Sequence, residues 1–386
     1  MQIIKDTFNK EIDVSKYLDI FFTSESSKDI SNKEVLLFDI ETTGLNVKKT
    51  KLYLIGATFY EDNAWQSVQY FAESLDEEEL LLKEFEKLCQ NYKYVVHFNG
   101  NHFDIPYINE KCNEHNISQY LNNLISLDIY TLVKEYKSSL SLPNCKQKTI
   151  ESLLNINRFD KYNGGELIFQ YYDYIKTKDD TLHSNLLLHN LEDLKGMLEL
   201  FDIIYYIHLI NFFKSNDFSI KLFEEGCNKN KISFMLTYKT IPKKLIDFIN
   251  KKNSINLLQY EIKLKSDSSQ NTIIVSTHLE YKKMYHFFND FTNYYYIKNL
   301  DMAIHKSVSK YYEKEKRENA KKSNCYISKE GIFIPIFSFL SDGECFKNSY
   351  KDTNYYILFI DKYGTNIVNE EELLLAIKNS ILNIGK

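Results

Sequence analysis

Val35-Leu36-Leu37-Phe38-Asp39-Ile40-Glu41-Thr42-Thr43-Gly44-Leu45 is the stretch on which the reading of this 386-residue chain turns. Four apolar residues in unbroken succession suit a strand buried on both faces. The strand then runs straight into two acids. Residues i and i+2 of a strand point to the same face, so Asp39 and Glu41 can reach one point. Burying like charges together is costly unless protons or cations offset them. An acid pair at the end of a core strand is therefore better explained by function than by a solvated turn. Gly44, just beyond, has no side chain to keep a ligand off the backbone.

Two further acids and a histidine fit the same chemistry. Asp104 follows a second apolar run, Tyr94 to Phe98, after Asn99-Gly100-Asn101-His102-Phe103; alone it would serve equally as a helix cap. His189 and Asp193 lie i and i+4 on a predicted helix framed by Leu188, Leu191, Leu194 and Leu198. Taken alone they would be a solvated stripe. Gly196, three residues on, leaves room for a substrate. Hard divalent cations prefer oxygen ligands and keep several waters, so a few converging carboxylates suffice to hold them. Two such ions about 4 Å apart support phosphodiester hydrolysis. A nearby histidine can accept the proton of the attacking water.

Working outward, Leu52 to Phe59 and Ala64 to Phe71 read as a strand pair around the turn Glu61-Asp62-Asn63. Glu77 to Tyr92 is an amphipathic helix, Tyr94 to Phe98 a strand, Ile105 to His115 a helix, and Ile125 to Tyr130 a strand. Helices over Thr149 to Leu154 and Leu186 to Ile210 follow. Three strands, helix, strand, helix, strand, helix is the order of a ribonuclease H-like α/β domain with a mixed sheet flanked by helices. The predicted boundaries are an N-terminal extension over 1–33, read as a short helix or arm, a ribonuclease H-like domain over 34–212, and an α+β accessory domain of unknown type over 213–386.

The motifs also carry a resemblance. Phe38-Asp39-Ile40-Glu41-Thr42-Thr43-Gly44, then Asn99 to Asp104, then His189-Asn190-Leu191-Glu192-Asp193 resemble the three motifs of DnaQ-type (DEDD) 3′–5′ exonucleases. The run from Val35 to Leu200 is similar to the YprB-like ribonuclease H-like family. The resemblance implies that Asp39, Glu41, Asp104 and Asp193 ligate two divalent ions, Mg²⁺ or Mn²⁺. It further implies that Thr42, Thr43, Gly44, Leu45, Asn99 and Phe103 contact the terminal nucleotide, and that the products are nucleoside 5′-monophosphates. The superfamily places tyrosine four residues before the last aspartate or histidine five before it. Here His189 takes the tyrosine spacing. His189 is the expected general base, with Glu192 as the other candidate. Asp128, His97 and His102 read as structural.

Composition bounds the rest. Residues 1–212 carry a net charge of −12 and residues 213–386 carry +7, which sum to the −5 of the whole chain. An acidic half beside a basic half suggests two jobs on one anionic ligand, DNA or RNA. All but two of the 48 basic residues are lysine, the exceptions being Arg158 and Arg317. Seven of these basic residues fall between Asp301 and Lys322, read as one long helix along which phosphates could be tracked. A solvated helix with internal Glu–Lys pairs explains them equally well. Strands are expected at Ile232 to Tyr238, Leu257 to Leu264, Thr272 to Ser276, Gly331 to Ser338 and Tyr355 to Ile360. The six cysteines form no CxxC pair, which argues against a zinc or disulfide framework. Met1 to Asn9 has no signal-peptide character, and no apolar run approaches the roughly 20 residues of a membrane span, so a cytoplasmic protein without a membrane partner is expected. Nucleic acid is the expected ligand, and a helicase or repair protein a further candidate partner. The alternatives are an endonuclease on the same metal site and a non-catalytic nucleic-acid-binding module.

Overall fold

The computed structural model describes residues 1–8, 10, 12–14, 17, 30–265, 271–340 and 344–385. The chain divides into two compact units, Met1–Glu135 with Asn144–Tyr205, and Tyr136–Pro143 with Tyr206–Lys386. The elements up to the division are β1 (Gln2–Phe8), β2 (Val35–Thr42), β3 (Leu52–Glu61), β4 (Ala64–Phe71), α1 (Glu78–Cys89), β5 (Tyr94–His97), α2 (Asp104–Glu114), β6 (Ile125–Asp128), α3 (Ile129–Glu135), α4 (Gln147–Leu153), α5 (Gly164–Thr177), α6 (Asp180–Glu199) and α7 (Asp202–Ser215).

The first unit is built on a six-stranded sheet in the order β1-β4-β3-β2-β5-β6. β2 pairs antiparallel with β3 and parallel with β5, and β5 pairs parallel with β6. Leaving β1 aside, this is the order and orientation of the ribonuclease H-like sheet that the sequence predicted. The β3–β4 hairpin closes on Asp62 and Asn63, both at positive φ (49° and 62°), the backbone that a two-residue turn between twisted strands requires.

β1 is a correction. Residues 1–33 read as a short helix or an arm, yet Gln2–Phe8 is a strand that pairs antiparallel with Trp65 to Phe71 of β4. An edge strand buries few of its residues, and here only Phe8 is fully buried, so the stretch reads as polar. Residues 9, 11, 15, 16 and 18–29 of the expected extension lie outside the described residues.

Val35 to Phe38 are wholly buried, as a central strand demands. Leu36, Phe38 and Ile40 share a core cluster with Leu81, Leu82 and Phe85 of α1. The other face of β2 therefore carries Leu37, Asp39 and Glu41 towards α6, whose Asn190 bonds Asp39. The β2–β3 ladder shifts register between Glu41 and Thr42, and such irregularities re-aim side chains at the end of a strand. Close approach of α6 to the sheet depends on Gly56 of β3. A Cβ there would lie 2.0 Å from Asn190 Oδ1 and 2.8 Å from Leu194 Cδ1.

The second unit adds β7 (Phe218–Leu222), β8 (Lys231–Tyr238), α8 (Lys243–Lys252), β9 (Ile255–Leu257), β10 (Tyr260–Leu264), β11 (Thr272–His278), β12 (Glu280–Phe287), β13 (Tyr294–Ile297), β14 (Met302–His305), β15 (Arg317–Asn319), β16 (Tyr326–Ile336), β17 (Tyr355–Asp361) and α9 (Glu370–Leu382). Its sheets run β7-β8-β11-β10-β9, β12-β16-β17 and β14-β13-β15. It is β-rich, and four of the five strands expected in this half are present in it. Leu257 to Leu264, expected as one strand, is the end of β9, a turn at positive φ on Leu258, and β10, which pairs back on β9.

The lysine-rich helix is absent. Met302–His305 and Arg317–Asn319 are strands that flank β13 on either side, with two short 3₁₀ turns between them. Lysines at spacings of three and four do not make a helix without an apolar stripe to bury. This segment instead contributes Ala303 and Ala320 to a small core beneath Tyr294 and Tyr296. Lys306 and Arg317 lie over the Tyr295 ring at 5.2 and 5.7 Å. A basic face read as one helix is thus distributed over strand ends and turns.

The helical run Asp180–Ser215 is apolar enough by length and composition to cross a membrane, contrary to the sequence expectation. Its apolar window is 72% buried inside the protein, as in a core helix.

The Gly56 contact gives a stability prediction. Gly56→Ala overpacks the α6–sheet interface and should destabilise the first unit by about 1–3 kcal/mol. The measurement is urea unfolding followed by circular dichroism, and an unchanged midpoint would contradict the packing described.

Candidate metal centre

Three elements bring the predicted acids to one place. Asp39 and Glu41 end β2, Asp104 begins α2, and His189 and Asp193 stand one turn apart on α6. Burial first, and then the charges of Asp193, Glu41 and Asp104, push the Asp39 carboxyl far above its ordinary range. Glu41 is raised in the same way, by burial and then by Asp193 and Asp104. Burial lifts Asp104 to about 7, against hydrogen bonds from its own amide and that of Ile40. Asp193 is among the acids that raise each of these three carboxyls.

Asp39 is held by Asn190, whose side-chain amide donates to its Oδ2 at 2.9 Å. Gln69 of β4 in turn donates to Asn190 Oδ1 at 2.9 Å and to the Leu187 carbonyl. This fixes the amide orientation of Asn190 and hence the direction of the Asp39 carboxylate. Sequence reading passed over both residues, since a polar residue on a leucine-rich helix face carries no signal of its own.

The His189 ring, nine-tenths buried, bridges two groups. Its Nδ1 lies 2.8 Å from Asp160 Oδ2, while Nε2 faces Asp193 Oδ2 at 3.4 Å and Glu41 Oε1 at 3.7 Å. One ligand atom each of Glu41, His189 and Asp193 lies within 4.8 Å of the others. Asp193 Oδ1 is taken by Arg158 Nη1 at 2.6 Å. Arg158 also meets Glu151 at 3.1 Å and Asp160 at 2.6 Å. Arg158 was noted only as a rarity of composition. Its rarity was the available signal, because arginine suits buried, multidentate carboxylate pairing better than lysine does.

Gly196 serves this network. A Cβ there would lie 2.0 Å from Glu151 Oε1, so the space read as room for substrate is filled by Glu151. Glu192, the second candidate base, accepts a hydrogen bond from the Phe159 amide at 3.1 Å and thereby anchors a loop.

The substrate-contact set divides. Thr42 Oγ1 donates to the Gly44 carbonyl and Thr43 Oγ1 accepts from the Lys51 amide, so both hydroxyls help to shape the turn. Gly44 sits at φ 152° with Thr50 against the place of its missing Cβ. Leu45 is 85% exposed, a free apolar surface just beyond the acids. Asn99, at φ 64°, gives its amide to Asp128 Oδ1 at 2.9 Å. Asp128 also accepts from Asn101 and Tyr130, the structural part expected of it. Phe103 is half-buried against Tyr107, with ring centroids 5.6 Å apart. His97 is driven down to about 4 by burial and accepts from the Gly100 amide, which orders the turn that delivers Asp104.

Residues 36–205 match the family model of the RNase_H superfamily. The first unit has the ribonuclease H-like fold. No curated protein sequence matches the chain. Among solved structures, the family B DNA polymerase of the archaeon Pyrobaculum calidifontis is similar at 16% identity and a TM-score of 0.37, over 46% of this chain and 25% of the polymerase. E. coli exonuclease I in complex with a dT13 oligonucleotide is similar at 9% identity and a TM-score of 0.33, over 63% of each chain. Exonuclease I of Methylocaldum szegediense is similar at 10% identity and a TM-score of 0.28, over 52% of this chain and 53% of that one. The chain spans less than two thirds of each of these proteins.

The donor set of the ribonuclease H-like unit fits hard divalent cations. Arg158 pairs with Glu151, Asp160 and Asp193, and Lys148 reaches Asp160 at 2.8 Å. Asp39, Glu41 and Asp104, whose carboxyls burial raises, are oxygen donors that would give up their protons to a bound cation.

The raised carboxyls predict a pH signature. Their folded pKa values lie above the unfolded ones, so their protonated forms favour folding below about pH 4, and this is lost as pH rises towards 7. Divalent cations bind the deprotonated set, so the rise in Tm produced by Mg²⁺ or Mn²⁺ over EDTA should grow from pH 5 to pH 7.5. His97 gives an opposite slope in both conditions, and the difference between the two curves removes it. A metal-induced shift that is the same at both pH values would contradict the assignment.

Proposed function

We propose that the ribonuclease H-like unit is a metal-dependent nuclease that hydrolyses nucleic acid from a 3′ end and releases nucleoside 5′-monophosphates. The observation that carries this reading is the gathering of carboxylates at the end of β2. Burial and neighbouring acids raise Asp39, Glu41 and Asp104, and ligand atoms of Glu41, His189 and Asp193 lie within 4.8 Å of one another. Protons or cations must offset such a gathering of acids, and a divalent cation bound there would recruit a polyanionic substrate. Bound divalent ions would supply Lewis acidity at the phosphodiester and offset the charge that develops on the leaving oxygen.

The chain's own residues hold and aim. Asp39, fixed by Asn190, projects from the buried strand into the centre of the cluster. Glu41 and Asp193 face each other across His189, and Asp104 approaches from the start of α2. Leu45, exposed beyond the acids, supports a reading in which the terminal nucleoside rests against it. Direction of attack from the 3′ end is supported by the order and spacing of the three motifs. The basic excess of the C-terminal half supports a contribution to phosphate binding, now from lysines on strand ends and turns.

Full-length protein incubated with 5′-labelled single- and double-stranded DNA and RNA and Mg²⁺ or Mn²⁺ should give a ladder that shortens from the 3′ end. Internal cuts would instead make it an endonuclease, and bound but intact substrate a binding module. Asp39→Asn should lower cleavage at least about 10³-fold with the circular dichroism spectrum unchanged, since no neighbour can supply the lost charge. Near-normal rates in that variant would place the chemistry elsewhere.

A further inference from the structure

Residues 155–163 link α4 to α5, and three consecutive members grip one face of α6. Arg158 takes Asp193 Oδ1 at 2.6 Å, the Phe159 amide donates to Glu192 at 3.1 Å, and Asp160 Oδ2 meets His189 Nδ1 at 2.8 Å. The Asp160 side chain is buried, and its carboxylate also takes Arg158 Nε at 2.6 Å and Lys148 Nζ at 2.8 Å. Two cationic donors on one carboxylate hold it as an acceptor. An ionised carboxylate only accepts, so His189 Nδ1 must donate to it. In the neutral ring, that places the lone pair on Nε2.

Nε2 faces two carboxylate oxygens, Asp193 Oδ2 at 3.4 Å and Glu41 Oε1 at 3.7 Å. A lone pair turned towards two carboxylate oxygens needs a proton or a cation between them, and gaps of 3.4 and 3.7 Å are longer than a hydrogen bond that shares a proton. Cation bonds of about 2.0–2.2 Å place neighbouring ligand atoms roughly 3–3.6 Å apart, close to the spacing found here. A free general base needs a different setting, with its nitrogen open to a water rather than enclosed by ligands of the ion. The Asp160 contact on Nδ1 is the outer carboxylate that orients most metal-bound histidines.

We propose that His189 Nε2 is a direct ligand of a divalent cation, together with Glu41 Oε1 and Asp193 Oδ2, and that Asp160 is the residue that positions its ring. The inference rests on the reading that the carboxylate cluster holds cations, and it changes which cation that is. An imidazole nitrogen in an otherwise oxygen set favours first-row transition ions such as Mn²⁺, Co²⁺ or Zn²⁺ over Mg²⁺. It also removes His189 from the role of proton acceptor that its motif position suggested.

The test is Mn²⁺ binding to full-length protein, read by pulsed electron paramagnetic resonance. Wild-type protein should show ¹⁴N modulation from a directly bound histidine, altered when histidine is labelled with ¹⁵N. His189→Ala should lose the modulation and weaken Mn²⁺ binding about 10–100-fold, with Mg²⁺ affinity changed less than about threefold. Asp160→Asn should weaken Mn²⁺ binding by about 10–100-fold, as loss of an outer partner usually does. Mn²⁺ bound by wild-type protein without nitrogen modulation overturns the proposal, and so does no Mn²⁺ binding at all. If His189→Ala does not fold, the wild-type spectrum and Asp160→Asn still decide. Nitrogen coupling in a protein that cuts nothing would sink the nuclease reading and leave the ligand assignment standing. Cleavage with a nitrogen-free Mn²⁺ spectrum would do the reverse.

Discussion

Mutual repulsion among carboxylates at the end of one buried strand is the constraint around which the first unit is arranged. Strand geometry turns Asp39 and Glu41 to one face, and the sheet order places β2 between β3 and β5, where water is scarce. In so dry a setting like charges interact strongly, so every neighbour matters. The burial of Val35 to Phe38 that makes the strand central is also what raises the pKa of the acids at its end.

The surroundings read as a set of devices for holding those charges in place. Asn190 and Gln69 aim Asp39, and Gly56 lets the helix carrying Asn190 approach the sheet closely. Arg158 divides Asp193 between two tasks, taking one oxygen and leaving the other facing His189. Gly196 admits Glu151, which holds Arg158 in turn. Asp128 and His97 order the turn that presents Asp104 without entering the cluster.

The second unit follows different rules. Its sheets are antiparallel, and its small cores are rich in tyrosine and phenylalanine. Lysine ammonium groups lie over several aromatic rings there, such as Lys329 over Phe346 and Lys347 over Tyr355. The negative ring faces attract the cations, so the aromatic surface itself accommodates basic charge. A basic charge excess is therefore compatible with a β-rich unit and does not need a helical face to display it.

The sequence by itself determined the central strand and the order of the first sheet after its edge strand, and its motifs put forward Asp39, Glu41, Asp104, His189 and Asp193 as one candidate site. These were legible because the signals are local: an unbroken apolar run, acids two apart on a strand, and a histidine and an acid four apart on a helix. The edge strand Gln2–Phe8 was not legible, because its partner lies more than 50 residues away and its own residues are mostly exposed. The false helix over Asp301 to Lys322 arose because lysine spacing imitates helical periodicity where no apolar stripe supports it. Only the tertiary structure decided that Arg158 and Asp160 belong to the site and which nitrogen of His189 faces the acids. Contacts from a loop some 30 residues away in sequence depend on how two helices pack, and no local pattern encodes that.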